Sequence, residues 1–223
     1  MILSWIDRGA LPLHPLRRAL PGQKRVACVG DSITYGYGVE SWRKNNYPAV
    51  LGTLLDEGYC VNNFGFSGAT ASPFGDTPYT DESVYRQSLD FRPDLVLLML
   101  GTNDTKPYNW KGEEHYLQSC RAILRAYREL SSRPELILLV PPPAWGLGGA
   151  PVAFDISASL LSDALRPALR SLAAEENIRF LDIYSVFEGH PELFFDGVHP
   201  NAAGARLLAE AAYQAIKEKE QEA

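Results

Sequence analysis

The chain has 223 residues, 46% of them hydrophobic and 22% charged, with a formal net charge of -6. That length suits one domain, spanning 1–223, with a substantial core. The ordinary composition and acidic balance exclude the concentrated Lys/Arg face that a nucleic-acid partner needs, and the short pair Arg17-Arg18 reads as a solvated turn.

Residues 1–22 read as an irregular, proline-containing lead. Asp7, Arg8, Pro12, His14 and Pro15 fall where a secretory leader needs an unbroken apolar core, and no later stretch approaches a membrane-spanning length. A cytoplasmic location is therefore the expectation. Cys28, Cys60 and Cys120 form an odd set without C-x-x-C spacing and read as buried free thiols.

Beyond the lead, short apolar runs alternate with helical patterns. The first strand is predicted over 25–29, just before Gly30. A helix follows over 47–57 with Pro48 in its first turn, then a second strand over 59–64. The third strand, 95–100, is almost wholly apolar, as a strand buried on both faces is. A helix over 116–130 places Leu117, Cys120, Ile123, Leu124 and Tyr127 on one face. The fourth strand spans 136–140 and leads into Pro141-Pro142-Pro143 and a glycine-containing loop. A helix over 160–176, interrupted near Pro167, a fifth strand over 178–181 and a helix over 202–219 complete the chain. The order predicts an α/β fold: a three-layer, doubly wound, flavodoxin-like sheet of about five parallel strands with helices on both faces. Ligands bind such sheets beyond the carboxyl ends of the strands.

Four segments fall at those ends or shortly before the last helix: Gly30-Asp31-Ser32, Ser67-Gly68, Gly101-Thr102-Asn103-Asp104 and Asp196-Gly197-Val198-His199. Their residue types divide the labour of acyl transfer. A serine hydroxyl needs a base to take its proton as it attacks a carbonyl, which suits Ser32 and His199. Asp196 is placed to orient the imidazole and to stabilise the imidazolium. The backbone N–H groups of Ser32 and Gly68 and the side-chain amide of Asn103 are candidate donors to the oxyanion. Taken singly, each segment also reads as a cap or turn: Asp31-Ser32 as a helix cap, Gly68 as a turn glycine, Asn103-Asp104 as a turn, Asp196 and His199 as a loop pair before a helix capped by Asn201.

Together the four blocks, in order, resemble those of the SGNH hydrolase superfamily, the GDSL-type esterases and lipases. The resemblance spans Gly30 to Asn201, with Ile33 in place of the leucine of the GDSL name. It implies Ser32 as nucleophile, Gly68 and Asn103 in the oxyanion hole, and His199 with Asp196 as base and orienter. A weaker resemblance, carried by loops, links the chain to carbohydrate deacetylases such as sialate O-acetylesterase and acetylxylan esterase-like proteins, and implies removal of O-acetyl groups from a sugar or glycan. Asp31, Tyr108, Trp110, Pro143, Trp145 and Val198 are candidate substrate-binding residues; Tyr108 and Trp110 suit sugar stacking or loop packing equally, and the run from Pro141 to Trp145 is placed to wall an acyl pocket.

A lysophospholipase or acyl-CoA thioesterase of the same superfamily is the alternative enzyme, and a flavodoxin-like binding module with a phosphate or flavin at Gly30-Asp31-Ser32-Ile33-Thr34 is the non-enzymatic one. That loop lacks the Walker lysine pattern and a G-x-G-x-x-G spacing. No H-E-x-x-H or paired Cys/His spacing calls for a metal, no cofactor is implied, and no G-x-S-x-G elbow points to an α/β-hydrolase. His14, His115 and His190 are expected at the surface, and Ser67 lacks a strand directly ahead of it to hold it as a nucleophile.

Overall fold

A computed structural model describes residues 13–222, with side chains to residue 218. In chain order the elements are β1 (Lys24–Gly30), α1 (Ser32–Tyr35), α2 (Trp42–Asn45), α3 (Tyr47–Leu54), β2 (Tyr59–Gly65), α4 (Ser83–Asp90), β3 (Leu95–Met99), α5 (Glu113–Arg128), β4 (Glu135–Val140), α6 (Arg166–Glu175), β5 (Arg179–Asp182), α7 (Ile183–Phe187) and α8 (Ala202–Glu222). The five strands are all parallel in the order β2-β1-β3-β4-β5. The chain leaves β1 for β2 on one side and returns to β3 on the other. The carboxyl ends of β1 and β3 therefore flank the crevice where this topology gathers ligands.

Period-two alternation sends strand residues to two cores. Ala27, Val29, Val96, Leu98, Leu136 and Leu138 face α4, α5 and α6, while Val26, Cys28, Leu97, Met99, Ile137 and Leu139 face α3, α7 and α8. All residues of β3 are buried, whereas β5, at the edge, is only half-buried along its length. The other edge, β2, is bracketed by the lead: Asn62 accepts the Arg17 N–H at 2.8 Å on Oδ1 and donates from Nδ2 to the Arg17 carbonyl at 2.9 Å. Residues 1–12, where most of the expected lead falls, lie outside the described part.

Several elements differ from their predicted bounds for local reasons. α3 ends at Leu54 because Asp56 turns left-handed (φ 69°) and its carboxylate accepts the Gly58 N–H at 2.7 Å. α5 starts a turn early, with Glu113 and Glu114 at its positive end. The interruption near Pro167 is a widened π-turn, Leu160–Leu165, which runs into α6 with the proline in its first turn. α4 has no counterpart among the predicted helices. It buries Val84 and Ser88 and packs half-buried Tyr85 and Leu89 on the core, and the Ser88 hydroxyl lies 2.6 Å from the Tyr127 hydroxyl, so a polar anchor shares the work with a stripe only eight residues long.

Cys28, Cys60 and Cys120 are buried free thiols. His14 is a correction to the expected surface position. Its ring is half-buried, edge-on to Tyr35 and Trp42 at 5.0 and 4.5 Å, with Nε2 donating to the Tyr35 carbonyl at 2.8 Å, and burial lowers its pKa. His190 is exposed beside Glu192, and His115 is half-buried with Nε2 3.1 Å from the Ser72 hydroxyl.

Candidate active site

Ser32 is the first residue of α1, directly after β1. Asp31 caps that turn by accepting the Ile33 N–H on Oδ1 at 2.9 Å, and the Ser32 carbonyl accepts the N–H groups of Gly36 and Tyr37 where the turn closes. The buried hydroxyl is thus held at the crevice rather than on a mobile loop. His199 comes from the loop before α8, whose first turn is capped by Asn201 accepting from Ala203 and Gly204.

Ser32 Oγ lies 2.8 Å from His199 Nε2, across 167 residues of chain, and His199 Nδ1 lies 2.7 Å from Asp196 Oδ2. The second Asp196 oxygen accepts the Val198 and His199 N–H groups at 2.9 and 2.8 Å. Burial pushes the Asp196 carboxyl up, but the His199 hydrogen bond and charge and the two N–H groups outweigh it and hold the pKa below the ordinary value. An ionised Asp196 accepts a hydrogen bond from Nδ1–H, which fixes that tautomer and leaves Nε2 as acceptor for the serine hydroxyl.

The His199 loop is braced from the side. The Trp145 N–H donates to the Gly197 carbonyl at 2.7 Å, and Gly197 is left-handed (φ 85°) with its α-carbon so close that an added Cβ would collide with the Trp145 carbonyl oxygen.

On the other flank, among the described residues, no acceptor takes the N–H of Ser32 or of Gly68. Asn103 is buried and donates one Nδ2 hydrogen to the Ala69 carbonyl at 3.1 Å, which fixes the amide and leaves its other hydrogen for a ligand. Asp104 locks the two donor loops together, accepting the Ala71 N–H on Oδ2 at 2.9 Å and the Ser72 N–H on Oδ1 at 2.8 Å. Asn109 adds a strap, donating to the Asn103 carbonyl and to Asp76 Oδ1, both at 2.9 Å. Burial pushes the Asp104 carboxyl up to about 6 against the relief of those N–H groups, and the nearby Asp31 charge adds to the rise. Burial likewise pushes Asp31 up to about 6, partly relieved by the Ile33 N–H, by Thr102, and by the charges of His199 and Lys106. Asp31 Oδ2 and the Thr102 hydroxyl meet no partner at hydrogen-bond geometry.

The structure therefore joins Ser32, His199 and Asp196 by direct hydrogen bonds and ties Asn103 to the Gly68 loop through the Ala69 carbonyl. Of the six candidate substrate-binding residues, Tyr108 alone presents a largely open ring, 50% exposed. Trp110 is half-buried against Tyr116, Asp31 and Pro143 are buried, and Val198 packs into the core on the α5 side. The Trp145 side chain packs on the opposite core. Within the run from Pro141 to Trp145, the Trp145 N–H supports the His199 loop.

Sequence reasoning missed Asp104 and Asn109 as positioning groups, although Asp104 directly follows Asn103. It also missed three rings around His199. Tyr37, Phe154 and Phe195 have centroids 4.7, 5.2 and 5.9 Å from the imidazole. Phe195 stands four residues before His199, the nearest thing to a signal in the chain. Among the described residues no group of three or more His, Cys, Asp or Glu side chains is arranged to hold a metal ion, and no helix is long and apolar enough to cross a membrane.

Residues 28–207 match the model of the GDSL-like Lipase/Acylhydrolase family. An acetylxylan esterase of Xylanibacter ruminicola is 32% identical over 222 residues, covering 90% of this chain and 45% of the relative. The chain spans less than half the length of the curated relatives it matches. A solved protein from Agrobacterium tumefaciens str. C58 superposes with a TM-score of 0.74 at 27% identity, over 88% of this chain and 99% of its own. A carbohydrate acetylesterase family member from Sinorhizobium meliloti gives 0.69 at 25% identity, over 88% and 98%.

Proposed function

Since the chain belongs to the GDSL-like lipase/acylhydrolase family, we propose that it is a serine esterase that cleaves a carboxylic ester through an acyl-enzyme and removes acetyl groups from a carbohydrate. The observation that carries this reading is the unbroken relay from Ser32 Oγ to His199 Nε2 at 2.8 Å and from His199 Nδ1 to Asp196 at 2.7 Å.

Ser32 Oγ attacks the ester carbonyl as its proton passes to His199 Nε2, and Asp196 stabilises the imidazolium. The carbonyl oxygen gains negative charge and meets the N–H groups of Ser32 and Gly68 and the free Nδ2 hydrogen of Asn103, all preset by the surrounding bonds. Collapse of the tetrahedral intermediate breaks the bond to the alcohol oxygen, which takes the proton from Nε2 and leaves. A water molecule then loses its proton to Nε2 and attacks the acyl carbon, and the second collapse returns the proton to Ser32. The carbohydrate acetate is supported by the acetylxylan esterase relative and by the carbohydrate acetylesterase neighbour.

Hydrolysis of p-nitrophenyl esters of rising acyl length, alongside acetylated xylo-oligosaccharides, tests the reading. Acetate is expected to be the best acyl group, and Ser32→Ala to abolish turnover with the fold intact by circular dichroism. Near-normal turnover in Ser32→Ala would remove Ser32 as nucleophile. Activity that climbs with chain length would turn the assignment to a lysophospholipase or thioesterase.

A further inference from the structure

The three rings around His199 are not explained by burial. Phe154 and Phe195 remain 49% and 46% exposed, although both lie against the buried His199. Tyr37 joins them, 6.4 Å from Phe154 and 6.3 Å from Phe195 between centroids, so four rings form one continuous cluster open to solvent on its outer side. Two local features hold the exposed pair in place. Phe154 and Asp155 both adopt left-handed backbone (φ 60° and 58°), a conformation that side-chain-bearing residues seldom take. The Phe195 ring sits so closely over Gly38 that a Cβ there would overlap it. An apolar ring kept in water by an unfavourable backbone turn, as Phe154 is, is what a binding surface requires and what folding alone does not.

The reaction geometry says which part of an ester meets them. The carbonyl oxygen points toward Ser32 N–H, Gly68 N–H and Asn103, away from the imidazole. The departing oxygen must lie within hydrogen-bond reach of His199 Nε2 to receive its proton. The group attached to that oxygen therefore extends over the imidazole side, where Tyr37, Phe154 and Phe195 stand. The geometry points to these rings as the subsite for the alcohol half of the substrate, with Phe154 and Phe195 as its specificity-determining residues and a sugar ring as the occupant, its C–H face lying on the aromatic faces. This rests on the esterase reading given above.

The test separates alcohol from acyl recognition. The variant Phe154→Gly/Phe195→Leu removes both rings, and the glycine accepts the left-handed backbone, so its melting temperature is expected to stay near that of the parent. Two ratios of kcat/KM are measured: acetylated xylo-oligosaccharide over ethyl acetate, which varies the alcohol, and p-nitrophenyl butyrate over p-nitrophenyl acetate, which varies the acyl group. The first is expected to fall about tenfold, mostly through KM, and the second to move less than about twofold. Phe154→Tyr and Phe195→Tyr are expected to keep the first ratio. The inference is overturned if the first ratio holds within about twofold, or if the second shifts as much as the first. A parent protein that hydrolyses none of these esters would instead bring down the esterase reading, and this inference with it.

Discussion

Gly197 and Gly189 share almost the same left-handed backbone, φ 85° and 83°, yet differ in surroundings: a Cβ on Gly189 meets nothing within 4 Å, whereas one on Gly197 strikes the Trp145 carbonyl. Replacing each by alanine therefore separates a conformational cost from a steric one. An alanine held left-handed costs about 1–2 kcal/mol, which is the whole expected loss for Gly189→Ala. For Gly197→Ala the Trp145 carbonyl must also move, and the hydrogen bond from Trp145 N–H to the Gly197 carbonyl goes with it, adding about 1 kcal/mol or more. The total is roughly 2–3 kcal/mol. Because His199 lies two residues on, a displacement of about 1 Å at its ring lowers kcat by about a hundredfold. Urea unfolding and turnover of p-nitrophenyl acetate read the two effects. Equal stabilities for the two variants, together with a Gly197→Ala kcat within about threefold of the parent, would refute the claim that the Trp145 loop seats the catalytic base.

Other expectations follow from the buried acids and the donor set. Asp104 moves from an ordinary 3.8 in the unfolded chain to about 6 in the folded one, so the folded state binds more protons between those values and stability falls as pH rises through that window. Asp104→Asn should flatten that decline in urea melts taken from about pH 4 to pH 7; an unchanged slope would contradict it. Asn103→Ala should lower kcat by about 10²–10³-fold with little change in KM, since its free hydrogen meets charge that exists only in the transition state. His199→Ala should lose more than Asp196→Asn, because the latter keeps a base at Ser32, and equal losses would assign Asp196 more than an orienting role.

The sheet was readable because its central strands are buried on both faces: the residues of β3 announce a parallel strand without any partner in view. The reacting groups were readable for a related reason, since each stands at a strand end or beside a helix cap, where local sequence decides position. What stayed hidden depends on contacts between distant segments. Nothing near Phe154 in the chain marks it as a neighbour of His199, 45 residues away. The buried charge of Asp104 acquires its two N–H donors from a loop more than thirty residues earlier. α4 escaped detection because it is only eight residues long, with Val84, Tyr85 and Leu89 too few to mark a period and a hydroxyl pair, Ser88 with Tyr127, sharing the anchoring.

The bracket that Asn62 places around the peptide of Arg17 reaches beyond local order. As the outermost strand on its side, β2 is exposed to a hazard common to open sheets: a neighbouring molecule can add its own strand and start a growing ladder. Cys60 and Asn62, two residues apart on one face of β2, both bond the Arg17 peptide, so a stretch of the same polypeptide lies against this outermost strand. The neighbouring Asn63 serves the turn of Ser32 by donating to the Thr34 carbonyl at 2.7 Å. Two adjacent amides on one strand thus divide the tasks of tying down the lead and keeping the turn of Ser32 in place.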